Sequence, residues 1–185
     1  MSTSPAIDAI ALRRLTASRW LIPILAMMHR EPGSRFSALV RQLGVSRSML
    51  SASLDTLERE RWIVRNPGHG HPLRPEYLLT PAGRDVAAWS AAADRALMAA
   101  GIRGPALGRW SLPLLAAFGG GGARFRNLAE SLAPISPRAL SMALDQLVAL
   151  RLIEKITELS RHPRYSVTTA GAALVGELSS ATASA

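Results

Sequence analysis

Two short stretches carry side chains suited to hydrogen-bonding chemistry at the start of a helix. In the first, Ser46, Arg47 and Ser48 are followed by Ser51. In the second, Ser136 and Arg138 are followed by Ser141 and Met142, with Pro137 at the first helical turn. A guanidinium is a flat, bidentate donor that matches a guanine edge or a phosphate, and serine hydroxyls donate or accept beside it. Arg47 is the best-placed base reader of the first stretch. Arg138 falls one position later in its own stretch, so the two are expected to read different bases. Ser46 can act as a helix N-cap, as a donor to phosphate, or as both. Arg35, Arg41, Arg124, Arg126 and Asn127 stand on or beside the preceding segments, where they can hold phosphates. For Arg35 and Arg124, each next to a Phe, pairing with a local carboxylate is the alternative. A further set, His69, His71 and Arg74, then Arg161, His162 and Arg164, falls in Pro- and Gly-containing loops and suits a minor groove or its phosphates.

Other chemistries find less to work with. His69-Gly70-His71 has the look of half a metal site, but the chain has no cysteine and few carboxylates nearby, so solvated loop histidines are expected. Gly119 to Gly122 is a glycine run with no Gly-Lys-Ser/Thr after it, which makes it a connector and not a phosphate loop. No Gly-x-Ser-x-Gly elbow is present. Enzymatic activity has no support, and neither a metal nor a cofactor is called for.

The charge points to a polyanion. Among 185 residues, 22 are basic and 13 acidic, a formal net charge of +9, and Lys155 is the single lysine. Such an excess predicts nucleic acid before membrane as partner, although the preference for Arg over Lys can also reflect codon usage. The longest apolar run, residues 20–28, is interrupted by Pro23 and falls short of the roughly 18 to 20 residues that span a bilayer. The first residues lack a basic stretch followed by an apolar one, so a soluble, intracellular chain is expected. With 48% hydrophobic residues the chain can bury a core.

The sequence repeats itself. Arg19-Trp20 with Pro23 and Leu25 returns as Arg109-Trp110 with Pro113 and Leu115, and Arg35-Phe36 with Leu39 returns as Arg124-Phe125 with Leu128. Val45-Ser46 with Leu50-Ser51, Leu54 and Leu57 matches Ile135-Ser136 with Leu140-Ser141, Leu144 and Leu147. Tyr77, Thr80 and Ala82-Gly83 match Tyr165, Thr168 and Ala170-Gly171, and the offsets drift only from 90 to 88. Residues 1–100 carry 13 Arg against 8 acids, and residues 101–185 carry 9 basic residues against 5 acids, so both halves keep the positive charge. Two basic units, 1–100 and 101–185, are expected.

Within one unit the patterning sets the elements that hold these side chains. Residues 18–29 read as an apolar helix with Pro23 in its first turns. Ser34 can cap the next helix, whose Phe36, Leu39, Val40 and Leu43 keep the i, i+3, i+4, i+7 spacing. Gly44 turns the chain, and Ser46 caps a third helix that buries Met49 or Leu50 together with Leu54 and Leu57. Two helices joined by a tight turn form a helix-turn-helix. Residues 62–65 and 76–80 read as strands of a hairpin whose long tip is a wing. A helix from 82 to 100 follows, and another is expected at 7–15. The second unit repeats the order with a shorter wing, and Ala133-Pro134 stands where the first unit has Gly44.

Trp-x-x-x-Ile-Leu, Arg-Phe-x-x-Leu, Val-Ser with Leu-Ser-x-x-Leu-x-x-Leu, and Tyr-x-Leu-Thr-x-x-Gly together resemble the HxlR family of winged-helix regulators, relatives of MarR. The resemblance covers residues 18–86 well and 109–175 more loosely. It implies bacterial transcriptional regulation through double-stranded DNA, in the cytoplasm at the nucleoid, and for most members a two-fold dimer with one unit per chain. This chain has two units, and it lacks the cysteine that redox-sensing members use.

The expected fold is therefore mainly α with small β-hairpins, α+β, with two tandem winged helix-turn-helix domains forming an intramolecular pseudo-dimer. Trp89, Leu97, Met98, Leu12 and Leu15 would line its seam. A monomer is favoured because one chain already presents two recognition helices, and a homodimer that keeps the parental surface is the alternative. Two rival functions remain at this point. One is an interaction protein that binds RNA polymerase or another regulator, and the other is a nonspecific nucleoid binder.

Overall fold

Asp8 opens the first helix, α1 (Ala9–Leu15), its carboxylate accepting from the Ala11 N–H at 2.7 Å. The computed structural model describes residues 7–66, 76–118, 122–156 and 163–180. Helix α2 (Leu21–Arg30) follows with Leu21 through Met28 all buried, and Pro23 in the first turn removes an N–H that the helix does not use. Next come β1 (Ser34–Arg35), α3 (Phe36–Leu43), α4 (Arg47–Arg59), β2 (Ile63–Asn66), β3 (Glu76–Leu79) and α5 (Pro81–Ala99). A 3-10 turn, Gly104–Ala106, leads into the second unit. That unit is α6 (Ser111–Ala117), β4 (Ala123–Arg124), α7 (Phe125–Ser131), α8 (Pro137–Ala149), β5 (Ile153–Ile156), β6 (Arg164–Val167) and α9 (Thr169–Ser180). Among the described residues the chain is mainly helical with two small antiparallel sheets, an α+β architecture of two tandem winged helix-turn-helix units.

Each sheet has three strands where the sequence suggests a two-stranded hairpin. The orders are β1-β3-β2 and β4-β6-β5, and the two sheets are separate. The extra strands are two residues long, too short to show any periodicity. Ser34 is not the cap of α3: it pairs with Tyr77 across the sheet, and its hydroxyl donates to Glu31 O at 2.8 Å. Ala123 pairs with Tyr165 in the same way. Burial at these positions raises the pKa of both phenols, with Arg65 pulling Tyr77 partly back.

The repeated Thr-x-x-Gly motif fixes how each wing returns to a helix. Thr80 N-caps α5, accepting from Gly83 N–H at 2.9 Å while its hydroxyl donates to Arg61 O at 2.8 Å. Thr168 does the same with Gly171 N–H at 3.1 Å and Arg151 O at 2.7 Å. Glycine is required at the fourth position because a Cβ on Gly83 would stand 1.7 Å from Trp62 O, and one on Gly171 2.0 Å from Leu152 O.

The two units share one core. Helix α5 packs on α2 of its own unit and on α9 of the other, and the Trp89 indole N–H donates to Leu178 O at 3.1 Å. Helix α1 crosses to α6, while the 3-10 turn, which falls at the repeat position of the end of α1, lies against α2. Each unit thus lends its leading segment to the first core helix of the other. Leu15, Leu97, Leu107 and Leu112 are 0 to 7% exposed where these pieces meet, and burying each such side chain contributes about 1.5 to 3 kcal/mol. Met98 does not join the seam, being 68% exposed on the outer face of α5.

Adjacent residues of α1 reach in opposite directions. Arg14 pairs with Glu60, the C-cap of α4, at 2.8 Å. Arg13 donates to Ala133 O at 2.7 Å and Ser131 O at 3.3 Å, at the end of α7. A cation at those carbonyls also meets the negative end of the helix dipole.

Candidate nucleic-acid interface

In the first unit, α3 ends at Gly44, which takes the left-handed conformation (φ 62°) and donates its N–H to Val40 O. Val45 is buried, and Ser46 then N-caps α4, its Oγ accepting from Met49 N–H at 3.3 Å. Leu50, Ser53, Leu54 and Leu57 form the buried face of α4. Ser46, Arg47, Ser48 and Ser51 are all exposed on the first turns. Capping does not exhaust Ser46, whose hydroxyl also lies 3.3 Å from that of Ser48. Met49 is 44% exposed and so is not the buried residue of its pair with Leu50.

The second unit rebuilds this head with different side chains. Ser136 N-caps α8, accepting from Ala139 N–H at 3.2 Å, with Pro137 at the first helical position. Leu140, Ala143, Leu144 and Leu147 are buried beneath. Arg138, Ser141 and Met142 are exposed, Met142 to 63%. Arg138 stands at the repeat position of Ser48, and Pro137 at that of Arg47.

The flanking cations fall into two groups. Arg35 pairs with Glu76 at 3.1 Å across β1 and β3, which is the local-carboxylate alternative. Its counterpart Arg124 faces Arg164 across β4 and β6, and both are exposed. Like charges directly opposite each other repel, and an anion between them would remove the repulsion. Arg126 pairs with Glu130 at 2.9 Å along α7, with both side chains largely in solvent, a geometry worth little in water. Arg41 and Asn127 are exposed on α3 and α7. His69, His71, Arg74, Arg161 and His162 lie outside the described residues. Among the described residues, no three His, Asp or Glu side chains gather as metal ligands, and no helix is long and apolar enough to cross a membrane.

Several positions that shape this surface gave no chemical signal in the sequence. Gln146 of α8 accepts from Gly108 N–H at 2.8 Å and from the Ser111 hydroxyl, and donates to Ala106 O at 2.9 Å. It thereby pins the second recognition helix to the loop before α6. Thr56 holds that place in α4 and is too short to do the same, donating instead to Ala52 O of its own helix at 2.9 Å. Arg13 and Arg109 both sit over Trp110, at 5.9 and 5.4 Å from the ring centre. Aligning the repeat could have flagged Gln146 against Thr56, whereas the reach of Arg13 over 120 residues has no local trace.

Comparison with known proteins agrees with the geometry. The profile of the HxlR-like helix-turn-helix family matches twice, over residues 15–93 and 107–182. The chain is also similar to a protein described as uncharacterized HTH-type transcriptional regulator YtfH from Escherichia coli (strain K12), and to the protein of that name from Shigella flexneri. Each is 43% identical over 70 residues, which is 37% of this chain and 55% of the relative. The chain therefore spans about half the length of the curated relatives it matches.

Proposed function

Because the chain belongs to the HxlR-like helix-turn-helix family, we propose that it is a transcriptional regulator that binds double-stranded DNA sequence-specifically through both winged helices of one chain. The observation that carries this reading is the paired presentation of α4 and α8. Each is capped by a serine, seated on a leucine face, and exposes an Arg on its first turn. In the proposed complex these turns enter successive major grooves roughly 34 Å apart. Arg47 and Arg138 read base edges, assisted by Ser48, Ser51 and Ser141, while Arg41, Arg124, Arg126, Asn127 and Arg164 hold the backbone. The units divide at about residue 100, and their shared core supports a monomer that acts as a pseudo-dimer in a bacterial cytoplasm.

Selection from a random duplex pool, followed by footprinting and sedimentation of the complex, tests this. The expected result is a two-part site that is an imperfect palindrome or a composite, filled by one chain. Arg47→Ala and Arg138→Ala should each weaken binding to that site by about 1 to 3 kcal/mol and relax preference at different half-sites. Unchanged affinity and preference in both variants would reject the assignment of α4 and α8 as readers. Two chains per duplex would reject the monomeric pseudo-dimer.

A further inference from the structure

An open groove of about 410 Å³ runs along the flank of α4. Met49, Ala52 and Thr56 of α4 form one wall, Ser18 and Arg19 a second, and Arg109 comes in from the second unit. The short Thr56 stands on this wall, whereas at its repeat position the longer Gln146 bonds across to Gly108 and Ser111.

Arg19 and Arg109 are the same residue of the two repeats, brought to one groove from both sides of the junction. Among the described residues neither has an acidic partner, and no acid lines the groove. Arg109 is restrained by its seat over Trp110, which it shares with Arg13. Thr16 and Thr56 also line it with their hydroxyls donated to Leu12 O and Ala52 O, and Ser18 and Ser53, whose oxygens lie 3.5 Å apart, complete the polar lining. Two guanidiniums without an acidic partner, beside the Ser18 and Ser53 hydroxyls, make a site for an oxyanion.

We propose that this groove holds a backbone phosphate of DNA between the two half-sites, with Arg19 and Arg109 as its ligands. The inference rests on the DNA-binding reading above. It adds a central contact that neither recognition helix nor either wing supplies. A duplex strand fits better than a small free anion because the groove is open to solvent and one wall is α4 itself. An anion bound where both units converge also falls between the two heads, where the middle of a two-part site would lie.

The test uses the full chain and its selected duplex, titrated between 50 and 200 mM salt. Arg19→Gln and Arg109→Gln should each lower affinity for every sequence alike and reduce the salt slope by about one. Each variant should therefore lose about four-fold less affinity than the parent across that salt range. Arg109→Lys should restore most of the slope. Replacing single central phosphates by neutral methylphosphonates should weaken the parent chain and leave the Gln variants little changed. The proposal is overturned if the Gln variants keep the parental slope while site preference persists, or if neutral phosphates matter at the flanks alone. It is equally overturned if inorganic phosphate protects the parent chain thermally while both Gln variants bind DNA as before. A parent chain with no duplex preference would instead overturn the broader reading, which separates the two failures.

Discussion

The two heads of this molecule share a frame and differ in how they are held. In the first, the turn before α4 is made by one left-handed glycine, and the flank of the recognition helix borders an open groove. In the second, Arg13 grips the end of α7 from the other unit, and Gln146 ties α8 to the loop before α6. The charge at the wing base differs as well, with Arg35 neutralised by Glu76 in one unit and Arg124 facing Arg164 in the other. A duplicated domain can therefore keep its core while its polar attachments diverge. Core positions are constrained by packing on all sides, and each polar attachment needs one partner.

The largest expected effect tests whether the heads are one body or two. Gly83→Ala and Gly171→Ala each drive a methyl into a backbone carbonyl, and each should destabilise by roughly 3 kcal/mol. Because the units share a core, denaturant unfolding should remain a single transition with a lower midpoint in both variants. Two separated transitions, with one at its parental position, would show that the heads unfold independently.

A smaller effect should distinguish the way the heads are held. Arg13→Ala removes two charge-assisted bonds to α7 from a partly exposed side chain, a loss of about 1 kcal/mol. Amide exchange should quicken in α7 and the turn to α8 and remain unchanged in α3. Equal quickening of both helices would mean that Arg13 supports the whole fold and not the second head.

The difference at the wing bases should be visible in salt dependence. Arg124→Ala should lower the slope of log affinity against log salt by about one on any duplex. Arg35→Ala should lower it by less, because Glu76 already neutralises Arg35. Equal changes would erase this part of the contrast.

Much of the frame was legible in the sequence because it is periodic or repeated. Leu50, Leu54 and Leu57 recur as Leu140, Leu144 and Leu147, and in both units they are the buried face of the recognition helix. The Thr-x-x-Gly motif was visible by repetition, although its reason, contact with a carbonyl far along the chain, emerges from the fold. Ser34 misled because a serine before an apolar helix is a common cap. Here a two-residue strand claims it, and strands that short carry no pattern. The exposed Ser and Arg turns of α4 and α8 could be anticipated from spacing and capping. The Arg13 bonds could not, and for Arg35 the sequence offered a carboxylate partner without naming Glu76, since each depends on which surfaces the tertiary packing brings together.

The one-position offset between Arg47 and Arg138 has a consequence for orientation. Two identical heads on a palindrome can be exchanged by a half-turn, so such a complex has no front and no back. Here the half-turn would exchange an arginine for a proline at the first position of the recognition helix, and a serine for an arginine at the second. On a two-part site of the kind proposed above, a single chain would lie in one of two distinguishable directions, and the sequences on either side would meet different faces of it. Variation in one head would also leave the other untouched, an independence that a pair of identical subunits cannot have.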